Sequence, residues 1–413
     1  MANTSLGFHT FSIFRELTSE NYARLCHDFK EYSQYDSDMK GYPVKTNEEG
    51  YTAWEYVHQE NKGIRWKLSS RVIKAVKIPG TQYCKRMVEA IINPRTLLEN
   101  NYITAATESD LYAVEAIFDE QASNISDLLG CFRYYTINRV DYCMNIDLAE
   151  LGYTCTPQQL MQLIKRGNIP PFFYERREYS PTGHRFVTDS NSFYLTNSSV
   201  TINYYLKYPQ QTEKHPNFKN RDNSENVIRF EVQCKNKKLN EHINSTPELY
   251  EKVEQFGYDK LHRGRIPIFP MLSNEIAKTV VEDYFYRVVG TGHYLTYKCA
   301  CDVIDSYDIE NKTKDRLKRV LADIRTCNGI AKTRDKINDS ICSSEDEYLM
   351  VVFNKSLRDL NKLMINPVTI PESWGIKWIP NPMWLYKISH DPTGKFLHEA
   401  HTSMEHIKNC ITT

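Results

Sequence analysis

Glycine, net charge and long apolar runs are all scarce in this sequence. Only 16 of 413 residues are glycine, against 28 tyrosines, a balance that suits a β-containing protein with aromatic stacking surfaces. Lys plus Arg and Asp plus Glu both number 52, for a net charge of zero. That excludes the global basic character of many nucleic-acid binders, so any contact with DNA must rest on local patches. No stretch approaches the length needed to span a bilayer, and Met1 to His9 lacks a basic region followed by an apolar run, so the reading is a cytoplasmic protein with no membrane partner. Cysteine is present, but the 11 residues are scattered and odd in number, which favours reduced thiols over a disulfide framework. The Asn-x-Ser/Thr triplets at Asn197 and Asn244 are then chance matches. There is no internal repeat and no low-complexity tract.

A chain of 413 residues, 41% hydrophobic and 25% charged, exceeds what one core usually occupies. Its pattern changes near residue 240. Before that point strands dominate: Phe8 to Phe14, Tyr51 to His58, Ile64 to Ile78 with a turn at Pro79-Gly80, and Tyr83 to Asn93, closed by Pro94. Helices are expected over about Ser19 to Tyr32, from a Ser109 cap to about Leu129, and from Thr156-Pro157 to Gly167. Pro170 to Val187 reads as extended or irregular, and Pro209 to Glu225 as a long polar loop. After Lys238 come helices opening at Thr246-Pro247, at Ser273, at Lys312 and near Ser356. The expected fold is α+β, with an antiparallel-sheet domain over residues 1–240 and a mainly helical region over 241–413.

Three strands carry chemistry. Thr201 to Lys207 alternates so that Val200, Ile202, Tyr204 and Leu206 share one face while Thr201, Asn203, Tyr205 and Lys207 share the other. Tyr205, flanked by an amide and a lysine, can be a nucleophile whose phenolate a nearby cation stabilises; a half-exposed strand tyrosine is the ordinary alternative. Asn138 to Leu148 sends Val140, Tyr142, Met144, Ile146 and Leu148 inward, with Arg139, Asp141, Cys143, Asn145 and Asp147 opposite. In Ile228 to Lys235 the inward set is Ile228, Phe230, Val232 and Cys234, and the polar set is Arg229, Glu231, Gln233 and Lys235. If these faces meet in one sheet, Asp141 and Glu231 can hold Mg²⁺ or Mn²⁺ through oxygen, with Asp147 a further acidic candidate.

These residues, in this order, resemble the replication initiators of rolling-circle phages and plasmids, above all the filamentous-phage gene II proteins and plasmid replication initiation factors. The likeness rests on Asn93-Pro94-Arg95 with Leu97-Leu98, on Arg139-Val140-Asp141, on the hairpin Ser192 to Leu195 leading to Tyr205-Leu206-Lys207, and on Arg229-Phe230-Glu231. It implies a metal-dependent endonuclease that binds a double-strand origin and nicks one strand. Tyrosine would attack the phosphodiester, leaving a 5′-phosphotyrosine and a 3′-hydroxyl primer for a host polymerase, with a host helicase as a further partner. Arg139, Lys207 and Arg229 would offset charge at the phosphorus. A conjugative relaxase shares this chemistry, and a DNA-binding protein without catalysis is the reading from another class.

The sequence departs from many rolling-circle nucleases in two respects: none of its 12 histidines stands two residues from another, so a carboxylate-built metal site is expected, and Leu206 follows Tyr205 where relatives often have a polar residue. Tyr204 and Tyr208 compete with Tyr205, and strand parity favours Tyr205. Elsewhere, His398, His401 and His406 match no zinc spacing and read as a solvated tail helix. Cys299 and Cys301 are too close for a zinc pair, and Gly290-Thr291-Gly292 lacks the lysine of a phosphate loop. The Lys312 to Arg325 helix pairs an apolar stripe with many cations, which suits either a solvated face or phosphate contact. The C-terminal helices suit an origin reader or a scaffold equally.

Overall fold

Alternation in the first half of the chain builds one antiparallel sheet. In the computed structural model, which describes residues 3–46, 52–58, 62–74, 82–99, 103–176, 178–179, 186–187, 190–214, 221–258, 265–341, 347–390 and 395–412, ten strands join it. They are β1 (Ser5–Leu17), β2 (Met39–Thr46), β3 (Thr52–His58), β4 (Ile64–Lys74), β5 (Gln82–Ile92), β6 (Thr136–Asp147), β7 (Tyr174–Glu175), and, after a separate ribbon of β8 (Glu178–Tyr179) and β9 (Phe186–Val187), β10 (Ser192–Thr196), β11 (Val200–Leu206) and β12 (Val227–Lys235). Their order is β2-β3-β4-β5-β1-β6-β12-β11-β10-β7. The three chemistry-bearing strands, β6, β12 and β11, are thus consecutive neighbours. The turn expected at Pro79-Gly80 lies outside the described residues.

One face of the sheet is a core. Phe8, Phe11 and Ile13 of β1, Trp66 and Leu68 of β4, Val140, Tyr142 and Met144 of β6, and Phe230 and Val232 of β12 are all fully buried. Helices α1 (Ser19–Tyr35), α2 (Pro94–Glu99), α3 (Leu111–Ile125) and α4 (Pro157–Lys165) come from within the sheet-forming half. Thr18 caps α1 through the Asn21 N–H at 3.1 Å, and Thr156 with Gln159 forms the capping box of α4. Two expectations shift here. Pro94 opens α2 as well as closing β5, and Thr107, whose N–H donates to Asp110 Oδ2 at 2.7 Å, rather than Ser109, starts the turn that leads into α3.

Residues beyond 235 also cover the sheet. After α5 (Lys207–Lys214) and β12 come α6 (Asn236–Ser245), α7 (Pro247–Glu254), α8 (Ile268–Met271) and α9 (Asn274–Val288). Phe285 of α9 meets Phe230 at 5.6 Å between ring centres, and the Tyr142 hydroxyl donates to the Met271 carbonyl at 2.7 Å. The stretch Lys207 to Lys214, expected as a strand end and a loop, is helical. Pro209 sits in its first turn, where a missing N–H costs nothing.

The remaining helices are α10 (Tyr297–Ser306), α11 (Asn311–Cys327), α12 (Ile330–Ile341), α13 (Glu347–Lys362), α14 (Pro382–Ser389) and α15 (Lys395–Thr412), with a small pair of strands, β13 (Tyr294–Leu295) and β14 (Trp378–Ile379). A second core gathers Leu295, Val303, Ile304, Leu317, Leu321, Leu360 and Ile407. The stripe expected on α11 is buried at Leu317, Val320, Leu321 and Ile324. Three of the cations on that helix are spent internally: Arg316 reaches Asp359 at 2.7 Å, Lys318 reaches Asp305 at 2.6 Å, and Lys314 reaches the Asp305 carbonyl at 2.9 Å. Gly292 is a close-approach glycine, since a Cβ there would lie 2.3 Å from the Ile365 carbonyl carbon. Among the described residues, no helix is long and apolar enough to cross a membrane.

Candidate active site

Strand register lays the polar side chains out in rows. Tyr205, Arg229, Asn145 and Ser5 stand side by side; the next row is Asn203, Glu231, Cys143 and Gly7; the third is Thr201, Gln233, Asp141 and Thr10; the fourth is Lys235, Arg139 and Ser12. Neighbours within a row are about 4.8 Å apart and rows about 6.7 Å. Tyr205, Arg229, Glu231, Asp141 and Arg139 therefore gather on the same face.

The first row is roofed. Asn145 Nδ2 donates to the Ile103 carbonyl at 2.6 Å, Arg229 Nε donates to Asn145 Oδ1 at 2.7 Å, and Arg229 Nη2 also reaches the Ile103 carbonyl. This strap crosses β1 at Gly7, where a Cβ would lie 1.9 Å from the Ala106 oxygen. Arg95 holds the strap from the other side, donating to the Ala105 carbonyl at 2.9 Å. Arg229 is fully buried, so its cation acts at short range in a region of weak screening.

The side chain that sequence reasoning missed is His9. It sits at a β-bulge: Phe8 faces Tyr142 and Thr10 faces the adjacent Asp141, so His9 is surplus to the ladder and is turned onto the polar face. Its Nδ1 lies 3.1 Å from Glu231 Oε2, and its Nε2 lies 3.4 Å from Asn93 Nδ2. The sign of the bulge was in the sequence. Phe8 and Phe11 are three apart, where unbroken alternation requires two.

Tyr205 donates its hydroxyl to the same Glu231 Oε2 at 3.3 Å. Lys207, at the first position of α5 rather than in β11, is buried, yet its Nζ lies 5.5 Å from the centre of the Tyr205 ring and donates to Gln210 Oε1 at 3.2 Å. Tyr204 belongs to the core, stacked on Phe230 at 4.5 Å. Tyr208 lies in α5, so strand parity does not apply to it.

Burial is the first influence on the ionisation of His9, Glu231, Tyr205 and Asp141, and at Glu231 it is overcome. It lowers the His9 pKa to about 4, with Arg229 adding to the effect and Glu231 opposing it. His9 is then neutral near pH 7, and a proton on Nδ1 satisfies both Glu231 and the Asn93 amide. Burial raises the Glu231 pKa, but the His9 hydrogen bond and the charges of His9, Arg229 and Lys207 outweigh it and hold the carboxyl at about 2. Burial, then the Glu231 charge, hold the Tyr205 phenol well above its ordinary range. Asp141 is pushed up to about 7 by burial, with Arg139 opposing and Glu231 adding.

Asp147 stands apart from this group. It faces Val227 at the end of β6, about 13 Å along the strand from Cys143. Its Oδ1 accepts from the Ala149 N–H at 2.9 Å and its Oδ2 from Asn3 Nδ2 at 2.9 Å. It caps the turn, as expected where a strand ends in a tight turn, and lies away from Asp141 and Glu231.

Among the described residues, no three His, Cys, Asp or Glu side chains converge as a protein-only metal cage. Mg²⁺ and Mn²⁺ ask for less than such a cage, since they commonly take one or two carboxylates and fill the remaining positions with water and substrate phosphate. Asp141 Oδ1 is buried without a hydrogen-bond partner, 3.1 Å from Arg139 Nε, and Glu231 stands one row away. Of the tail histidines only the His406 side chain is described; its Nε2 lies 3.1 Å from Ser306 Oγ.

No protein-family model and no curated protein sequence matches the chain. Among solved structures it is similar to a rolling circle replication initiator protein from Geobacillus stearothermophilus, with 8% identity and a TM-score of 0.26, over 56% of this chain and 74% of that one. It is also similar to the di-domain ARO/CYC StfQ from the steffimycin biosynthetic pathway, with 8% identity and a TM-score of 0.15, over 67% of this chain and 98% of that one.

Proposed function

We propose that the polar face of the sheet is a DNA strand-nicking site with Tyr205 as its nucleophile, serving to initiate rolling-circle replication of a phage, plasmid or integrated element. The observation that carries this reading is the bond from the Tyr205 hydroxyl to Glu231, 3.3 Å long, amid Arg229, Lys207 and His9. A phenol facing a carboxylate has a proton acceptor, and Arg229 offsets part of the burial and of the Glu231 charge that otherwise hold the phenol protonated.

In the proposed step the Tyr205 proton passes to Glu231 as the phenolic oxygen bonds to phosphorus. The bond from phosphorus to the 3′ oxygen breaks, and that oxygen leaves as a hydroxyl by taking up the proton that Glu231 received, which returns Glu231 to its carboxylate form. The 5′ phosphate stays on Tyr205, and reversal rejoins the strand. Arg229 and Lys207 offset the charge that grows on the phosphate oxygens. Mg²⁺ or Mn²⁺ held by Asp141 and Glu231 would supply further positive charge and fix the phosphate for in-line attack. The freed 3′ end would be extended by a host polymerase behind a host helicase; a conjugative relaxase would use the same steps for transfer.

Tyr205 is only 6% exposed, which favours a second reading, a DNA-binding protein in which the Tyr205–Glu231 bond is structural. Incubating the protein with a supercoiled plasmid from its own host element and Mg²⁺ or Mn²⁺ separates the two. Covalent protein on a 5′ end, lost in Tyr205→Phe, supports the nickase. Unchanged plasmid, bound but uncut, supports the binder.

A further inference from the structure

The rows of the polar face do not stop at Arg139. Beyond Ser12 and Arg139 comes the pair Phe14 and Thr136, and there the sheet opens into a cavity of about 800 Å³. Thr136 is five residues along β6 from Asp141, about 17 Å. One wall is α6, which turns Asn236, Asn240 and Asn244 toward the cavity at four-residue spacing; Phe14, Tyr134 and Tyr258 give aromatic surface, and Lys237 and Arg265 give charge.

The chemistry of this lining is specific. Tyr134 is 56% exposed, with its ring available for stacking. The α6 amides are held in place, since the Tyr258 hydroxyl donates to Asn240 Oδ1 at 3.0 Å and Asn240 Nδ2 donates to Asn236 Oδ1 at 2.9 Å. The acidic residues are neutralised: Glu16 pairs with Lys85, and Glu241 pairs with Lys238 at 3.4 Å. Lys237 and Arg265 have no carboxylate partner among the described residues. Aromatic faces, fixed amides and cations without a carboxylate partner among the described residues, Arg265 bonding only the Tyr134 carbonyl, together match an unpaired base with its phosphate. A paired duplex would bury the base faces that such a wall recognises.

Resting on the nicking reading, we infer that the cavity holds a single-stranded segment of DNA leading away from the reacting phosphate. At a stacked rise of 3.4 Å the distance from Asp141 corresponds to about five nucleotides, and that from the row of Tyr205, nine residues from Thr136 along β6 at Asn145, to about nine, fewer if the strand is extended. Holding that segment open would keep the nicked end from re-pairing while the strand is displaced.

The test is fluorescence anisotropy with a labelled single-stranded oligonucleotide of about 12 nucleotides, in metal-free buffer, on protein already carrying Tyr205→Phe, so that catalysis plays no part. Tyr134→Ala is expected to weaken binding about tenfold and Tyr134→Trp to restore it. Lys237→Ala with Arg265→Ala is expected to reduce the slope of log affinity on log salt by about 1.4, or 0.7 per phosphate contact. All three side chains reach solvent, so the variants should fold like the parent, which circular dichroism checks. Equal affinity in every variant, or a parent that binds duplex and not single strands, overturns the inference. If these variants lose binding while no protein ever forms the 5′ adduct, the cavity stands and the nicking reading falls.

Discussion

Asn93 does two things at once: its Oδ1 accepts from the Thr96 N–H at 3.2 Å, capping α2, and its Nδ2 reaches His9 Nε2 at 3.4 Å. A helix cap thereby sets the orientation of an imidazole, and through it the position of Glu231.

Replacing Asn93 separates these roles. Asn93→Asp keeps the cap but presents a negative charge to His9, so stability changes little and the His9 pKa rises from about 4. Asn93→Ala loses the cap as well and costs about 1 kcal/mol. Histidine NMR titration and denaturant unfolding report the two effects separately.

Acid stability should carry the mark of His9. Because its folded pKa lies below 6.5, at about 4, the unfolded chain takes up a proton that the folded one refuses, and stability falls as pH drops through that window. Glu231, lowered to about 2 from 4.5, adds a further loss at lower pH. In His9→Gln the first loss should vanish, by at most about 3 kcal/mol. Unfolding midpoints between pH 7 and pH 4 measure it.

Asp141 has the opposite sign. Its folded pKa is raised from 3.8 to about 7, so its burial destabilises the protein increasingly as pH rises through that range. Without metal, Asp141→Asn should be more stable than the parent at pH 8, by a few kcal/mol at most. Mg²⁺ should raise the melting temperature of the parent and leave that of Asp141→Asn unchanged, and nicking should be lost in the variant.

The two adjacent tyrosines should part company. The Tyr204 hydroxyl is buried with no hydrogen-bond partner among the described residues, so Tyr204→Phe should stabilise the protein by about 1 kcal/mol and keep the 5′ adduct. Tyr205→Phe should abolish the adduct. A Tyr204→Phe protein that is stable yet inactive would move the nucleophile to Tyr204.

Asp147→Asn tests the metal set by subtraction. Losing the carboxylate of the turn after β6 should cost about 1 kcal/mol, with the Mg²⁺ concentration for half-maximal nicking unchanged.

Much of this site was legible because alternation is local. The inward residues of β6, β11 and β12 follow directly from a two-residue period, and so does the placing of Tyr205, Glu231 and Asp141 on one face. Strand order was not legible, since β1 lies between β5 and β6 through pairings set by packing far along the chain. The period also misled at Lys207, because a helix begins there without any loop residue to announce it. The distance of Asp147 from the other acidic residues was not legible for a related reason: parity names the face a side chain occupies but not how far along the strand the site extends.

The surplus residue in β1 has a consequence for how the chain tolerates change. Deletions inside a central strand normally invert every side chain beyond them. Here, removing Thr10 would bring Phe8 and Phe11 into regular alternation and leave His9 on the polar face, so the apolar pattern of the sheet's centre would survive. Between Phe8 and Phe11, this core has a position where chain length itself can vary.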